Sequence, residues 1–208
     1  MRIDRLRGLY AVTPDEADTV RLHAMVSAAI DGGATAVQYR NKAAADALRR
    51  EQAQALASAC RQRGALFIVN DDPALARDVG ADGAHIGEHD GALTQARSEL
   101  ARRIVGVSCY DDLALARRFA GEGADNNAIG SYFPSRVKPD ARRADASLIP
   151  AAKSLGVPVV AIGGITAANV PILVDAGIDA VAVISDVFAH DDLADIARAA
   201  ARIAACFG

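Results

Sequence analysis

The sequence is poor in cysteine, lysine and aromatic side chains, and these shortages exclude several classes of protein. Aromatic residues make up only 4% of the 208 residues, and tryptophan is absent. The formal net charge is −3, so the chain lacks the basic excess that nucleic-acid-binding proteins carry. The three cysteines, Cys60, Cys109 and Cys206, are widely spaced. An odd number at such spacing indicates neither a disulfide framework nor a zinc site.

Long apolar runs are also missing from the sequence. No run approaches the ~20 residues that a membrane-spanning helix needs, and residues 1–5 lack the apolar core of a signal peptide. We therefore expect a cytoplasmic protein with neither a nucleic-acid nor a membrane partner. With 51% apolar residues, the chain is long enough to bury a full core, and we expect one domain over residues 1–208. A homo-oligomer is left open.

Short apolar runs alternate with helical patterns eight times along the chain. The runs are continuous rather than alternating, which is typical of a parallel sheet covered on both faces. We predict a single (β/α)₈ barrel, an α/β fold, with an open doubly wound sheet as the alternative. The sixth strand is predicted over 128–133, because Asn126 and Asn127 are poor strand formers. The eighth strand is predicted over 180–185.

Polar residues gather where the predicted strands end, and the second strand ends in two cations. Only three lysines occur, Lys42, Lys138 and Lys153, so the position of each is informative. Gln38, Arg40 and Lys42 alternate to one side of the strand end. An arginine fork and a lysine point charge at a barrel mouth are typical of a polyanion site. The alternative is a solvated strand end.

Two adjacent carboxylates, Asp71 and Asp72, follow the third strand. Asp72 is placed to cap the helix that Pro73 begins, and Asp71 is then left for another role. Mg²⁺ prefers one or two carboxylates together with substrate phosphates. The second carboxylate we predict is Asp90, after the fourth strand, where Glu88, His89 and a capping role for Asp90 are competing interpretations.

The later strand ends carry further candidates for binding. Ser108 could hydrogen-bond a substrate, but the sequence places no His or Asp partner beside it that would make it a nucleophile. Lys138 lies in a proline-shaped loop after the sixth strand. Backbone N–H groups at Gly164 and near Ser185 would form the phosphate pocket that is common after strands seven and eight of barrels.

Six segments at these strand ends together resemble the thiamine-phosphate synthase family. They occur in the family's order between Leu9 and Phe188, and they are 38–42 (QYRNK), 70–72 (NDD), 83–87 (GAHIG), 106–108 (GVS), 133–138 (FPSRVK) and 162–166 (IGGIT). The resemblance implies a barrel enzyme that acts on small phosphorylated substrates. It would join an aminopyrimidine carrying a diphosphate to a thiazole phosphate, with Mg²⁺ as cofactor and release of pyrophosphate.

The resemblance also implies roles for individual residues. The pyrimidine diphosphate would be held by Gln38, Arg40, Lys42, Asn70 and Lys138, with Ser108 against the pyrimidine. Tyr39 and Asn41 complete the predicted substrate-binding segment. Asp71 and Asp90 would bind Mg²⁺, and the thiazole phosphate would be held by Ser135, Arg136, Val137, Gly164, Ile184 and Ser185. Arg40, Lys42, Lys138 and Ser108 are the residues we predict to take part in catalysis.

Three departures from the family pattern leave alternatives open. Val137 stands where the family carries a hydroxyl, Asn126 and Asn127 stand where an aromatic and an apolar residue are usual, and Glu88 stands where Gln is frequent. One alternative is a thiazole tautomerase of the same fold, which binds the thiazole phosphate without joining it. The other is a non-catalytic binder of the thiazole phosphate.

Overall fold

The computed structural model describes residues 6–87, 93–134 and 143–208. Within these ranges the strands form one closed parallel barrel in sequential order. They are β1 (Gly8–Val12), β2 (Ala34–Tyr39), β3 (Leu66–Asn70), β4 (Gly83–Ile86), β5 (Ile104–Tyr110), β6 (Asn126–Gly130), β7 (Val159–Ile162) and β8 (Ala180–Val183). The predicted (β/α)₈ barrel is confirmed, and the open doubly wound sheet was the wrong alternative, because β1 pairs with β8.

Helices follow the strands around the outside of the barrel. They are α1 (Thr19–Asp31), α2 (Asp46–Arg63), α3 (Pro73–Asp78), α4 (Leu93–Leu100), α5 (Leu113–Gly121), α6 (Leu148–Lys153), α7 (Val170–Asp175), α8 (Ser185–Phe188) and α9 (Leu193–Ala204). A 3₁₀ turn, Ala205–Phe207, follows α9. Among the described residues, no helix is both long enough and apolar enough to cross a membrane.

Side chains from successive strands fill the barrel interior. A buried cluster that includes Tyr10, Ile68, Ile104 and Val160 lies inside the barrel, and the larger cluster lies between the strands and the helices. Strand alternation separates these two sets, since neighbouring residues of a strand point to opposite faces of the sheet. The same alternation carries polar side chains to the mouth, where the carboxyl ends of the strands meet.

The predicted bounds of the sixth and eighth strands were wrong, and β6 ends at Gly130 rather than at residue 133. β6 begins at Asn126 rather than Ala128. Asn127 was expected to be a poor strand residue because of its polar side chain, but in the barrel Asn127 Nδ2 donates to the Ala116 carbonyl of α5 at 3.1 Å. β8 ends at Val183, and Ser185 begins the short helix α8 instead of continuing the strand. The barrel mouth therefore has a helix start where the sequence predicted a strand end.

Candidate active site

The loop after β1 holds the end of β2 in place. Thr13 is fully buried, and its Oγ1 both accepts from the Arg40 N–H at 2.8 Å and donates to the Arg40 carbonyl at 2.9 Å. Its own N–H donates to the Gln38 carbonyl. The backbone N–H and carbonyl of Arg40 are thus both hydrogen-bonded to Thr13. These bonds limit the positions that the Arg40 and Lys42 side chains can take.

The two cations after β2 share one acidic neighbour. Asp15 Oδ1 accepts the Lys42 N–H at 3.0 Å and lies 3.7 Å from Arg40 Nη1. Lys42 Nζ, in turn, lies 3.4 Å from Asp71 Oδ2 at the end of the neighbouring strand. The Arg40 and Lys42 side chains therefore lie beside carboxylates at the mouth, and the polyanion site there stays a prediction.

Tyr39 and Asn41 point to the other side of the strand end, toward α2. The Tyr39 hydroxyl donates to Gln52 Oε1 at 2.8 Å, and Asn41 Nδ2 donates to the same oxygen and to the Glu16 carbonyl. Gln52 is fully buried and donates to the Glu16 carbonyl at 2.8 Å. Burial raises the pKa of Tyr39 to about 12, with Arg49 acting in the opposite direction, so its hydroxyl remains a donor.

The end of β3 presents Asp71 in an unusual backbone conformation. Asp71 has φ 59°, a left-handed geometry that non-glycine residues rarely adopt. Its N–H donates to the His85 carbonyl at 2.8 Å, and its Oδ2 accepts from Asn70 Nδ2. Asp72 caps α3 by accepting the Leu75 N–H at 2.8 Å, which confirms its predicted capping role. Asp71 is thereby directed into the mouth rather than into the cap.

A cavity of about 240 Å³ lies between these two strand ends. Two cations, Lys42 and Arg49, line this cavity together with the Asp71 carboxylate. The full lining consists of Tyr39, Asn41, Lys42, Arg49, Val69, Asn70 and Asp71. Arg49 Nη2 lies 3.0 Å from Asp72 Oδ2. A larger cavity of about 550 Å³, which Arg7 and Arg63 help to line, opens at the opposite end of the barrel and is remote from these groups.

The floor of the mouth is formed by polar side chains that point into the barrel. Gln38 Nε2 donates to the Tyr10 hydroxyl oxygen at 3.0 Å, and burial raises the pKa of Tyr10 so that it stays protonated. Ser108 Oγ lies 2.9 Å from His85 Nε2. Ser108 therefore does have a histidine partner, contrary to the sequence expectation, because the barrel places β4 and β5 side by side. Burial lowers the pKa of His85 to about 4, which keeps the imidazole neutral near pH 7.

Gly164 follows β7, and Ile184 and Ser185 follow the neighbouring strand β8. Gly164 has φ +65°, and a Cβ there would lie 2.2 Å from the Pro134 carbonyl oxygen, so glycine is required for this close approach. Asp186 Oδ2 accepts the Ala167 N–H at 2.9 Å, and Asn169 Nδ2 donates to the Gly164 carbonyl at 3.0 Å. The first contact joins the start of α8 to the segment after β7, and the second lies within that segment.

Several predicted site residues lie outside the described residues. They are Glu88, His89 and Asp90 in one segment, and Ser135, Arg136, Val137 and Lys138 in the other. Within residues 6–87, 93–134 and 143–208, no group of three His, Cys, Asp or Glu side chains is arranged to hold a metal ion. Of the two predicted metal ligands, Asp71 is described, and its half-buried carboxylate is a hard oxygen donor of the kind Mg²⁺ prefers.

Among the site residues that carried no functional assignment from the sequence are Tyr10, His85, Arg49 and Gln52. Strand alternation could have identified Tyr10 and His85 as site residues. Both side chains point into the barrel, and in each strand the next inward-pointing residue lies at the mouth. Arg49 and Gln52 gave no such signal, because they lie on α2 among many polar residues. Only the packing of α2 against the ends of β2 and β3 identifies them.

Comparison with known proteins now identifies the family of the chain. The family model described as thiamine monophosphate synthase matches residues 9–187. The chain belongs to the thiamine monophosphate synthase family. A thiamine-phosphate synthase of Chromobacterium violaceum is 51% identical over 198 residues, which cover 95% of this chain and 96% of that protein. One of Methylobacillus flagellatus is 48% identical and covers 93% of each chain.

A solved structure of the same family has the same fold. The thiamine phosphate pyrophosphorylase from Pyrococcus furiosus superposes with a TM-score of 0.86 at 32% identity, and the alignment covers 98% of this chain and 96% of that one. The sequence-based assignment to the thiamine-phosphate synthase family is thus confirmed, together with its assignment as a transferase.

Proposed function

We propose that this chain condenses an aminopyrimidine that carries a CH₂-linked diphosphate with a thiazole phosphate, giving thiamine phosphate and pyrophosphate. The observation that carries this proposal is the cavity between β2 and β3, where Lys42 and Asp71 lie together beside Asn70. A diphosphate needs cationic partners, and a divalent ion bound to it needs a carboxylate. The names of two relatives, thiamine-phosphate synthase and thiamine phosphate pyrophosphorylase, agree with this chemistry.

The residues at the mouth fit a reaction that needs no general base. The bond between the pyrimidine CH₂ and the diphosphate oxygen breaks, and its electron pair leaves with pyrophosphate. The aminopyrimidine stabilises the resulting cation, and the thiazole nitrogen lone pair forms the new C–N bond. Lys42 and Arg40 neutralise the charge that grows on the leaving oxygen, which is stabilisation specific to the transition state. Asn70 and Gln38 orient the diphosphate and the pyrimidine.

Mg²⁺, when bound, would neutralise part of the diphosphate charge as a Lewis acid. The residues that would hold it are Asp71 and Asp90, of which Asp90 rests on the sequence alone. The substrate contacts of Tyr39 and Asn41 stay predictions from the sequence, and both residues also hydrogen-bond to Gln52. Their hydrogen bonds on the α2 side hold the segment that carries Arg40 and Lys42.

The thiazole phosphate is assigned to the pocket of Gly164, Ile184 and Ser185. The contacts Asp186–Ala167 and Asn169–Gly164 support this pocket from behind. Ser135, Arg136, Val137 and Lys138 complete the assignment as predictions from the sequence. The cytoplasmic location and a homo-oligomeric state also stay predictions.

Product analysis separates this function from its two alternatives. The purified protein is incubated with Mg²⁺ and with the pyrimidine diphosphate, the thiazole phosphate, or both, and products are identified by mass spectrometry. A synthase releases pyrophosphate and thiamine phosphate in equal amounts only when both substrates are present. A tautomerase converts thiazole phosphate isomers without pyrophosphate release, and a binder gives saturable binding with no product. Either of these last two outcomes would overturn the proposal.

A further inference from the structure

Arg49, on α2, reaches the cavity between β2 and β3, although no role has been assigned to it so far. It lies one helical turn before the fully buried Gln52, on the face of α2 that packs against these strands. Its half-buried side chain lines the cavity together with Lys42 and Asp71. The guanidinium is thus a second cation within reach of an anion bound in this cavity.

Asp72 fixes the position of the Arg49 guanidinium. Asp72 Oδ1 accepts the Leu75 N–H and caps α3, while Asp72 Oδ2 lies 3.0 Å from Arg49 Nη2. One carboxylate thus ties the start of α3 to α2. Asp46 Oδ1 lies 3.5 Å from Arg49 Nη1, but Asp46 is exposed, and exposed ion pairs contribute little. Arg49 is therefore held at the cavity wall before a ligand arrives.

The two contacts leave N–H donors of Arg49 for a ligand. A guanidinium is planar and carries its N–H groups in a fork that matches two oxygens of a phosphate. The contact with Asp72 uses Nη2 and the contact with Asp46 uses Nη1. Because each of these nitrogens carries a second N–H, Arg49 can donate to phosphoryl oxygens while it keeps both carboxylate neighbours.

The charge of a diphosphate also calls for a further cation at this place. Each cation at the end of β2 already lies beside a carboxylate: Lys42 Nζ is 3.4 Å from Asp71 Oδ2, and Arg40 Nη1 is 3.7 Å from Asp15 Oδ1. A diphosphate ester carries more negative charge than one divalent ion neutralises, and a charge that leaves water must be paired. Arg49 supplies additional positive charge from the α2 side of the cavity.

We propose that Arg49 binds the diphosphate of the pyrimidine substrate, as a further cation beside Arg40 and Lys42. This inference rests on the proposed function, and it extends the diphosphate site from the ends of β2 and β3 to helix α2. The N–H groups of Arg49 donate to phosphoryl oxygens, and they do so in the substrate and in the released pyrophosphate alike. Inorganic pyrophosphate is therefore a sufficient probe of the contact.

The same helix offers a matched control variant. Arg50 follows Arg49 directly, but its side chain is 55% exposed, pairs with Asp78 at 3.3 Å and does not line the cavity. Arg50→Gln therefore removes the same charge one residue away from the proposed contact. Asp72→Asn removes the charged partner of Arg49 and keeps a side-chain oxygen for the cap of α3, since asparagine and aspartate cap helices about equally well.

The first measurement is the binding of inorganic pyrophosphate in the presence of Mg²⁺, by isothermal titration calorimetry. Arg49→Gln should weaken binding roughly 10- to 100-fold, the effect of a hydrogen bond to a charged group, and Arg49→Lys should restore part of the loss. Arg50→Gln and Asp72→Asn should stay within about 3-fold of the wild type. Unchanged affinity in Arg49→Gln, or an equal loss in Arg49→Gln and Asp72→Asn, would overturn the proposal.

The second measurement is steady-state kinetics with both substrates varied. Arg49→Gln should raise the KM for the pyrimidine diphosphate roughly 10-fold or more and leave the KM for the thiazole phosphate unchanged. Equal increases in both constants would indicate a general structural defect and contradict a contact with the diphosphate. If the wild type forms no product at all, the proposed function fails, while the pyrophosphate titrations still decide whether Arg49 binds a diphosphate.

Discussion

Lys42 Nζ lies 3.4 Å from Asp71 Oδ2, across the ends of the neighbouring strands β2 and β3. The pair places a cation and a carboxylate on one wall of the cavity, as a metal-bound diphosphate requires. The same wall is held from behind by the hydrogen bonds of Asp15 and Gln52. The separate contributions of these residues can be measured.

Lys42→Ala should depress turnover more than it weakens substrate binding. Its charge is expected to contact the leaving group more strongly as negative charge grows, and removing one such group costs on the order of 10²–10³ in kcat. Saturation kinetics measures both constants. Lys153→Ala is the matched control, because Lys153 pairs with Asp179 at the amino-terminal end of β8. A rise in KM alone for Lys42→Ala would count against a role in the departure of pyrophosphate.

Gln52→Leu should destabilise the fold by about 2–3 kcal/mol, since the buried Tyr39 hydroxyl would lose its partner. Asn41 and the Glu16 carbonyl would each lose one hydrogen bond as well. Urea unfolding followed by circular dichroism gives the change in free energy. Gln54→Leu, on the exposed side of α2, should stay within about 0.5 kcal/mol of the wild type. Equal stability of the two variants would show that the Gln52 network contributes little.

Gly164→Ala should raise the KM for the thiazole phosphate on the order of 10- to 100-fold, because the turn must shift away from the Pro134 carbonyl. Gly156→Ala is a matched control: Gly156 also has positive φ, at +79°, but a Cβ there meets nothing within 4 Å. An unchanged KM in Gly156→Ala would show that strain at a glycine elsewhere in the fold does not alter this constant. An unchanged constant in Gly164→Ala would remove this turn from the phosphate site.

His85 should make the protein less stable in mild acid. Its pKa is about 4 in the folded protein and 6.5 in the unfolded chain, so the unfolded chain binds the extra proton between these values. The free energy of unfolding is therefore highest above pH 6.5, and protonation of His85 should lower it by about 2 kcal/mol between pH 7 and pH 5. Denaturant unfolding at both pH values, in the wild type and in His85→Gln, measures this contribution.

A second histidine variant serves as the control for the effect of His85 on stability in acid. His190→Gln, which alters a histidine that is only partly buried, is the comparison variant. His85→Gln should lose about 2 kcal/mol of the acid sensitivity of the wild type. An identical pH dependence in all three proteins would mean that His85 is not held neutral by burial.

The fold and the mouth residues were predictable because they depend on short-range patterns. Strand runs, glycine turns and the alternation of Gln38, Arg40 and Lys42 are local features of the sequence. The start of β6 was not predictable, because the side chain of Asn127 finds its partner on α5. The contact between His85 and Ser108 has the same cause. It depends on which strands become neighbours, and only the closed barrel fixes that.

The magnesium dependence of pyrophosphate release in the wild type and in Asp71→Asn tests the central claim most directly. Both substrates are supplied after chelation, and Mg²⁺ is titrated back. The wild type should release pyrophosphate only with Mg²⁺, and Asp71→Asn should be slower by on the order of 10²-fold or more and need more Mg²⁺. Asp78→Asn, a change at an exposed ion pair with Arg50, should match the wild type. Near-normal turnover and an unchanged Mg²⁺ requirement in Asp71→Asn would contradict the account.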